Sequence, residues 1–193
     1  MPAWYRIEDD GRTGRWFLGD PHDARGHSLE PCVFTAGAPV QVAEPVTLAI
    51  KQKGFPVDVS LAAFDTPVVT RRVGALLETL APDDVQRVRA RIDGLHVEVD
   101  ILVVRHIEPC LDQRRSRVEP DCVDLLTIAP ERTSGRAIFR VEGCETAIVV
   151  VDRVVQALAA AQVVGMHFER VFPPPDLPPD LPDRLRPPGR RWS

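Results

Sequence analysis

The stretch RVRARIDGLHVEVDILV, residues 87–103, decides the fold class of this chain. Apolar side chains occupy every second position of residues 88–92 and again of residues 97–103, which is the period of a half-buried strand. Between these two runs, Asp93-Gly94 supplies the backbone conformation of a tight turn. The stretch therefore predicts an antiparallel hairpin with one face in a core.

Charged side chains line the other face of this hairpin. Arg89 and Arg91 on the first strand are predicted to face Glu98 and Asp100 on the second. Exposed pairs of this kind would favour the register by only about 0.2–1 kcal/mol each.

Apolar alternation and apolar runs predict the remaining strands. The run AIVVV at residues 147–151 has no polar position, which is typical of a strand buried on both faces near the centre of a sheet. The apolar triplet at residues 16–18 is expected to pin a polar loop to the core, and the segment after Cys110 is predicted to be a polar loop. Further strands are predicted at residues 4–7, 46–51, 123–128, 137–141 and 167–171.

Two helices are predicted between the strands. Asp65 or Thr66 is expected to cap the first helix, with Pro67 in its first turn, where a missing N–H costs nothing. Asp152 is expected to cap the second helix, over residues 153–161. Apolar residues at helical spacing define the buried face of the first helix: Val69, Val73, Leu76, Leu77 and Leu80.

Together these elements predict an α+β fold with a mixed or antiparallel sheet and two main helices packed on it. One domain is expected over residues 1–172, because a chain of 193 residues is long enough for one sizeable core and short for two. Eight of the 16 residues at 173–188 are proline, so residues 173–193 are predicted to form an extended tail. That tail is either a solvated surface arm or a recognition arm that lies along a partner.

Composition and charge argue against several function classes. With 44% hydrophobic and 27% charged residues, the chain has the composition of an ordinary globular protein, and its net charge of −4 lacks the positive excess of nucleic-acid binders. No apolar run approaches the roughly 20 residues that span a bilayer. We therefore expect neither nucleic acid nor membrane as a partner. The opening MPAWYRIEDD has acids where a secretory signal needs an apolar run, which predicts a cytoplasmic location.

The cysteines are widely spaced and include no C-x-x-C pair, so a structural zinc site is not expected. In a reducing cytosol they are predicted to be free and mostly buried thiols. A Cys110–Cys122 disulfide is the alternative.

His22, Asp23 and His27, close to Asp20, form the densest group of potential metal ligands or acid–base groups. They match neither a helical His-x-x-x-His pattern nor a calcium-binding loop. The segment is therefore predicted to be a solvated loop, and a metal site or a small active site is the alternative.

His106, Cys110 and Asp112 are a second candidate group. A catalytic cysteine needs an accessible, activated thiolate, and Pro109 separates this histidine from the cysteine at a strand end, so a buried core cysteine is favoured. The chain carries no nucleophile elbow, phosphate-binding lysine loop or zinc-protease helix motif. No catalytic residue and no cofactor are predicted. The basic patch at residues 114–117 lacks interleaved aromatic residues for RNA stacking and is predicted to be a solvated or salt-bridged loop.

Several segments are similar to a known family when they are taken together. They are DVSLAAF at 58–64 with TPVV at 66–69, APDDVQ at 81–86, ILVV at 101–104 before CLD at 110–112, and ALAAA at 157–161 before Gly165 and Phe168. In order and spacing these segments resemble the family called immunity protein eleven, which is abundant in myxobacteria. Its members protect a cell against toxin domains of polymorphic toxin systems.

The resemblance covers about residues 3–171 and implies an α+β domain with no cofactor and no catalytic residues. This chain departs from the family at Gln162, where family members often carry glycine after the last helix, and in the added proline-rich tail.

The function that this resemblance implies is an immunity protein that binds and neutralises a cognate toxin domain. Acidic side chains are expected to meet a basic surface of the toxin. The alternatives are a small enzyme or metal-binding protein that uses the loop of His22, Asp23 and His27, and an adaptor that presents the proline-rich arm. The candidate partner-binding residues are Glu8, Asp9, Asp10, Asp83 and Asp84.

Overall fold

A computed structural model describes residues 3–119 and 122–172, without the side chains of Phe64, Glu119 and Cys122. The tail predicted at residues 173–193 lies outside the described residues. Two α-helices are present in the described part, α1 (Arg71–Leu80) and α2 (Asp152–Ala160). The strands in chain order are β1 Trp4–Asp9, β2 Phe17–His22, β3 Val46–Gln52, β4 Val59–Ala62, β5 Thr66–Thr70, β6 Val85–Ile92, β7 Glu98–Val104, β8 Ile107–Glu108, β9 Arg117–Glu119, β10 Cys122–Leu125, β11 Ile138–Val141, β12 Cys144–Val151 and β13 Met166–Phe172.

The strands form two large mixed sheets and a small ribbon, so the fold is α+β with strands predominating. The first large sheet has the order β2-β3-β6-β7-β5-β4, the second has the order β13-β1-β12-β11-β8, and β9 pairs with β10 alone. The prediction of one sheet beneath two helices was therefore wrong in this respect. The six-stranded sheet curls so that its edge strands β2 and β4 contact each other. Trp16, the residue before β2, donates from its Nε1 to Ser60 Oγ of β4 (2.8 Å).

The hairpin predicted at residues 87–103 is confirmed as β6 and β7. Gly94 adopts a φ of 70° in the turn, a value that glycine adopts at no steric cost. Arg89 lies opposite Asp100 and Arg91 opposite Glu98, as predicted. Arg91 and Glu98 are exposed as expected, but the interpretation of the Arg89–Asp100 pair as exposed was wrong, because Asp100 is 0% exposed and pairs with Arg87.

The start of the first helix was predicted too early. Residues from Thr66 to Thr70 form β5, which lies between β4 and β7, and α1 begins only at Arg71. Pairing on both edges outweighs the local helix-start signal, and the β-branched pair Val68 and Val69 buries one side chain in each of the two cores.

The central position predicted for the AIVVV run is confirmed. Strand β12 is the middle strand of the five-stranded sheet and pairs with β1 and β11. The capping prediction needs a correction, since Val151 is the N-cap of α2 and Asp152 is its first helical residue. The carboxylate of Asp152 accepts a hydrogen bond from the backbone N–H of Arg153 (2.9 Å).

Two buried clusters share strand β7, whose alternate side chains point into different cores. Val99, Ile101 and Val103 belong to the core inside the curled sheet. Leu102 and Val104 belong to a second core, which also holds the inner faces of α1 and α2 and the five-stranded sheet. This double burial explains why six of the seven residues of β7 are buried.

Two segments predicted as loops contain strands. The apolar triplet at residues 16–18 does reach the core, with Trp16 and Leu18 buried, but most of it belongs to β2. The polar segment after Cys110 contains β9. Edge pairing with β3 and with β10 supplies the backbone hydrogen bonds that the sequence pattern did not reveal.

The described cysteines are free thiols, as predicted. Cys110 and Cys144 are buried, whereas Cys32 is exposed. Because Cys110 is free, the alternative Cys110–Cys122 disulfide is not formed.

Candidate functional site

A cleft of about 360 Å³ lies at the C-terminal end of α1. We call it the α1 C-terminal cleft, and it contains two of the predicted partner-binding acids, Asp83 and Asp84. The helix ends here because Ala81 leaves the helical conformation after its backbone N–H has closed the last turn onto Leu77. The cleft is lined by residues 80–84, residues 134–137 and Arg153.

Asp84 is a structural residue of this cleft. Its side chain is 8% exposed, and its carboxylate pairs with Arg136 Nη1 at 3.0 Å. The backbone N–H groups of Ala137 and Ile138 also donate to Asp84 Oδ2, at 2.8 and 3.1 Å. These bonds fasten the start of β11 to the loop after α1. The Asp84 charge is therefore neutralised by contacts within the fold.

Asp83, the neighbouring residue, is exposed. Its backbone carbonyl oxygen lies 2.9 Å from His106 Nε2, which holds the peptide in place. Among the described residues, no hydrogen bond or ion pair reaches the Asp83 carboxylate. This side chain can therefore meet an external cation.

A second carboxylate stiffens the far wall of the α1 C-terminal cleft. Glu108 is buried and bonds both the hydroxyl and the backbone N–H of Ser134, the latter at 3.0 Å. Arg136 Nε lies 3.7 Å from Glu108 Oε1, so this arginine joins two buried acids. The hydroxyl of Ser134 is thus held by a carboxylate, and the described residues place no histidine in hydrogen-bond contact with it.

The other three predicted acids lie at the end of β1. Asp9 and Asp10 both pair with Arg15, which is buried and stacks over the Phe17 ring with its guanidinium carbon 5.2 Å from the ring centroid. Glu8 pairs with Arg6 at 3.0 Å.

These acids are not brought together with Asp83. Ala3, the residue before β1, lies next to the start of α2, because its carbonyl oxygen accepts a hydrogen bond from the backbone N–H of Asp152. Glu8 lies five residues further along, roughly 16 Å at the usual rise of an extended strand. The five acids therefore do not form one patch, and four of them are engaged by arginines that also hold the fold.

The loop of His22, Asp23 and His27 is a hydrogen-bonded turn after β2. Asp23 accepts the backbone N–H of His27 at 2.9 Å, and this bond holds the pKa of the Asp23 carboxyl below its usual value. His22 Nδ1 lies 3.0 Å from the carbonyl oxygen of Asp20. Within the described ranges, no group of three or more His, Cys, Asp or Glu residues is placed to hold a metal ion.

His106, Cys110 and Asp112 have different structural roles. Burial, reinforced by the Glu108 charge, raises the pKa of Cys110 to about 12, so its thiol is protonated at neutral pH and is a poor nucleophile. His106 contacts the Asp83 carbonyl, and Asp112 accepts the backbone N–H groups of Arg114 and Arg115. In the part of the chain that the structure describes, no hydrogen bond links the three side chains.

The arginines that organise these acids were missed by the sequence analysis. Arg136 lies 52 residues after Asp84, and no local pattern connects them. Arg15 was assigned to a polar loop, although the acids at Asp9 and Asp10 lie close enough in sequence to suggest a partner.

Comparison with models of known protein families gives no match, and comparison with curated proteins gives none either. The two helices of the described region have ten and nine residues, and neither is long and apolar enough to cross a bilayer.

Proposed function

We propose that this chain is an immunity protein that binds a cognate toxin domain in the cytoplasm and neutralises it by protein–protein contact. The observation that carries the location of the contact is the free carboxylate of Asp83, held at the rim of the α1 C-terminal cleft. The resemblance of about residues 3–171 to immunity protein eleven supports the choice of partner class.

Rigidity around the cleft favours binding. The backbone at Asp83 and Asp84 is fixed by the bonds of the buried Asp84 carboxylate and by the contact of His106 with the Asp83 carbonyl oxygen. Ion pairs to Arg136 fasten the opposite wall. A surface that is already ordered loses little conformational entropy when a partner docks, so more of the contact energy appears as affinity.

Charge defines which toxin groups fit. A lysine or arginine of the toxin would pair with Asp83, while Arg153, which lines the same cleft, would donate to an acidic group. Neutralisation on this proposal is steric, with the toxin active site or its substrate path covered by the bound chain. Association should be slowed by added salt, because surface charges steer the encounter and salt screens them.

Co-expression tests the proposal directly. A toxin gene encoded beside the gene for this chain is expressed alone and then together with the chain, and the expected result is growth arrest followed by rescue. Failure of rescue by the intact, folded chain against every toxin encoded beside it would overturn the immunity function.

A charge reversal tests the contact surface separately. Asp83→Lys is expected to lose rescue and to weaken toxin binding, because it places a cation where the toxin cation docks. Asp93→Lys is the matched control, since Asp93 is an exposed acid in the β6–β7 turn. Equal rescue by the two variants would keep the immunity function and reject the α1 C-terminal cleft as its surface.

A shortened chain tests the adaptor alternative. If the body of the domain carries binding, a chain that ends at Phe172 should still rescue growth. Loss of binding in this chain, with its unfolding transition unchanged, would assign recognition to the proline-rich arm.

A further inference from the structure

Four arginines lie on or next to α1, on the outer face of the curled sheet. Three of them, Arg87, Arg89 and Arg91, follow one another at every second position of β6. Arg71 is the first residue of α1. The four arginines have different partners, and those without a carboxylate partner are available to bind a ligand.

The Arg87 side chain is engaged in ion pairs within the fold. Its Nε donates to Asp100 Oδ2 at 2.8 Å, and its Nη1 donates to Glu78 at 3.0 Å. The Asp100 side chain is 1% exposed, so this ion pair is a buried contact beneath α1.

Arg89 and Arg91 are exposed and have no carboxylate within ion-pair distance among the described residues. Within residues 3–119 and 122–172, the Arg91 side chain makes one hydrogen bond, from its Nε to Thr47 Oγ1 (3.2 Å). Arg71 Nε is buried and lies 3.9 Å from Asp100 Oδ1, whereas its Nη2 lies 3.4 Å from the exposed carboxylate of Glu98. The guanidinium groups of Arg89 and Arg91 therefore retain donors for a ligand.

The three arginines line a cleft of about 490 Å³, which we call the arginine cleft. Two carboxylates also line it. Glu44 accepts the backbone N–H of Arg89 at 3.1 Å, and Glu98, whose side chain is 74% exposed, lies 3.4 Å from Arg71. The lining charges sum to one positive charge, and an entering anion would compete with the exposed carboxylate of Glu98 for Arg71.

We propose that the arginine cleft is a binding site for a small oxyanion, the phosphate or carboxylate group of a small molecule. Guanidinium groups present paired N–H donors that match the oxygen spacing of these anions, and three arginines line this cleft. The N-terminus of a ten-residue helix at the same place adds favourable partial charge. A cleft of this volume falls in the range of small-molecule sites. The proposal does not depend on the immunity function.

Titration with inorganic phosphate and, in parallel, with acetate tests this site. Binding to the full chain is followed by NMR shifts of arginine Nε–H groups and by calorimetry at low ionic strength. Saturable phosphate binding is expected, with weaker binding of acetate, because a single negative charge makes fewer charge-assisted bonds. Tighter binding of acetate would assign the site to carboxylates instead, and no saturable binding of either anion would overturn the proposal.

Variants locate the binding. The double variant Arg89→Gln/Arg91→Gln is expected to lose at least about tenfold in phosphate affinity, which corresponds to the removal of two charge-assisted contacts. Arg114→Gln/Arg132→Gln, which removes two exposed arginines elsewhere, should bind as the unmodified chain does. Equal loss in both double variants would show non-specific attraction to positive charge and would overturn the site.

A gain-of-affinity variant guards against a loss that reflects only misfolding. Glu98→Gln removes the carboxylate that competes for Arg71 and should tighten phosphate binding severalfold. The control Glu131→Gln removes an exposed carboxylate outside the cleft and should leave binding unchanged. If Glu98→Gln weakens binding or leaves it unaltered, Arg71 is not a ligand of the anion.

Discussion

The two ends of α1 use charge in opposite ways. At the C-terminal end, Asp84 is buried and bonded to Arg136 and to two backbone N–H groups, so that its charge holds the fold together. At the N-terminal end, Arg89 and Arg91 are exposed and free of carboxylate partners in the described part of the chain. The comparison teaches that a charged side chain is available to a partner only where the fold has not already neutralised it.

The contrast also holds between neighbours on a single strand or loop. Asp83 is exposed while Asp84 is buried, and Arg87 is paired while Arg89, two positions further along β6, is not. Substitutions at these neighbours give direct tests of the comparison.

The largest effect is expected for Asp84→Ala. The change leaves Arg136 without one of its carboxylates and two buried N–H groups without an acceptor, and we expect a loss of about 4 kcal/mol in the free energy of unfolding. Urea unfolding followed by circular dichroism measures it. Asp83→Ala should alter stability by less than about 0.5 kcal/mol. Similar losses for the two variants would remove the distinction drawn at this end of α1.

Arg87→Gln is expected to have the next largest effect. It leaves the fully buried Asp100 without its closest cation, and the loss in unfolding free energy should be about 3 kcal/mol. Arg89→Gln, on the same face of β6, should stay within about 0.5 kcal/mol of the unmodified chain. If Arg89→Gln proves as destabilising as Arg87→Gln, then Arg89 is also held by the fold and the arginine cleft loses a ligand.

Gly74→Ala probes how closely α1 lies over this buried pair. A Cβ at position 74 would come within 2.7 Å of Asp100 Oδ2 and 3.1 Å of Arg87 Nε. Crowding should outweigh the better helix propensity of alanine and destabilise the chain by about 1–2 kcal/mol. Ala75→Gly, at the next and exposed position, measures the propensity term alone. If Gly74→Ala stabilises the chain, then Asp100 and Arg87 can move away from the added Cβ without a loss of stability.

The smallest effect is expected at the end of α2. Gln162 stands where the family that this chain resembles often carries glycine, and it adopts a φ of 52°. This left-handed conformation is sterically unfavourable for a residue with a Cβ atom. Gln162→Gly should therefore raise the melting temperature, with a gain of about 0.5 kcal/mol after the entropy of the unfolded glycine is included. Ala161→Gly, where φ is −80°, should lower it. The same sign for both would contradict the left-handed assignment.

The elements predicted from strong local patterns were found, and those that depend on distant partners were not. The hairpin of β6 and β7 and the central strand β12 follow from alternation and from an apolar run. The start of α1 was misplaced because the pairing of β5 with both β4 and β7 outweighed a capping signal at Thr66-Pro67.

For the candidate site, the sequence identified the acidic residues but not which of them are buried or paired. All five acids were predicted as partner-binding, yet their positions separate Asp83 from the four that pair with arginines or with the backbone. The arginine cleft was not predicted, since Arg89 and Arg91 were expected to pair across the hairpin with Glu98 and Asp100.

By itself, the sequence determined the register of the central hairpin and the central buried strand, because these depend on periods of two and on apolar runs that act over a few residues. Only the tertiary structure decided which charged side chains are paired within the fold and which remain available to a partner. An ion pair such as Asp84 with Arg136 joins residues far apart in the chain, and its desolvation and its partners are set by how the two sheets and α1 pack together.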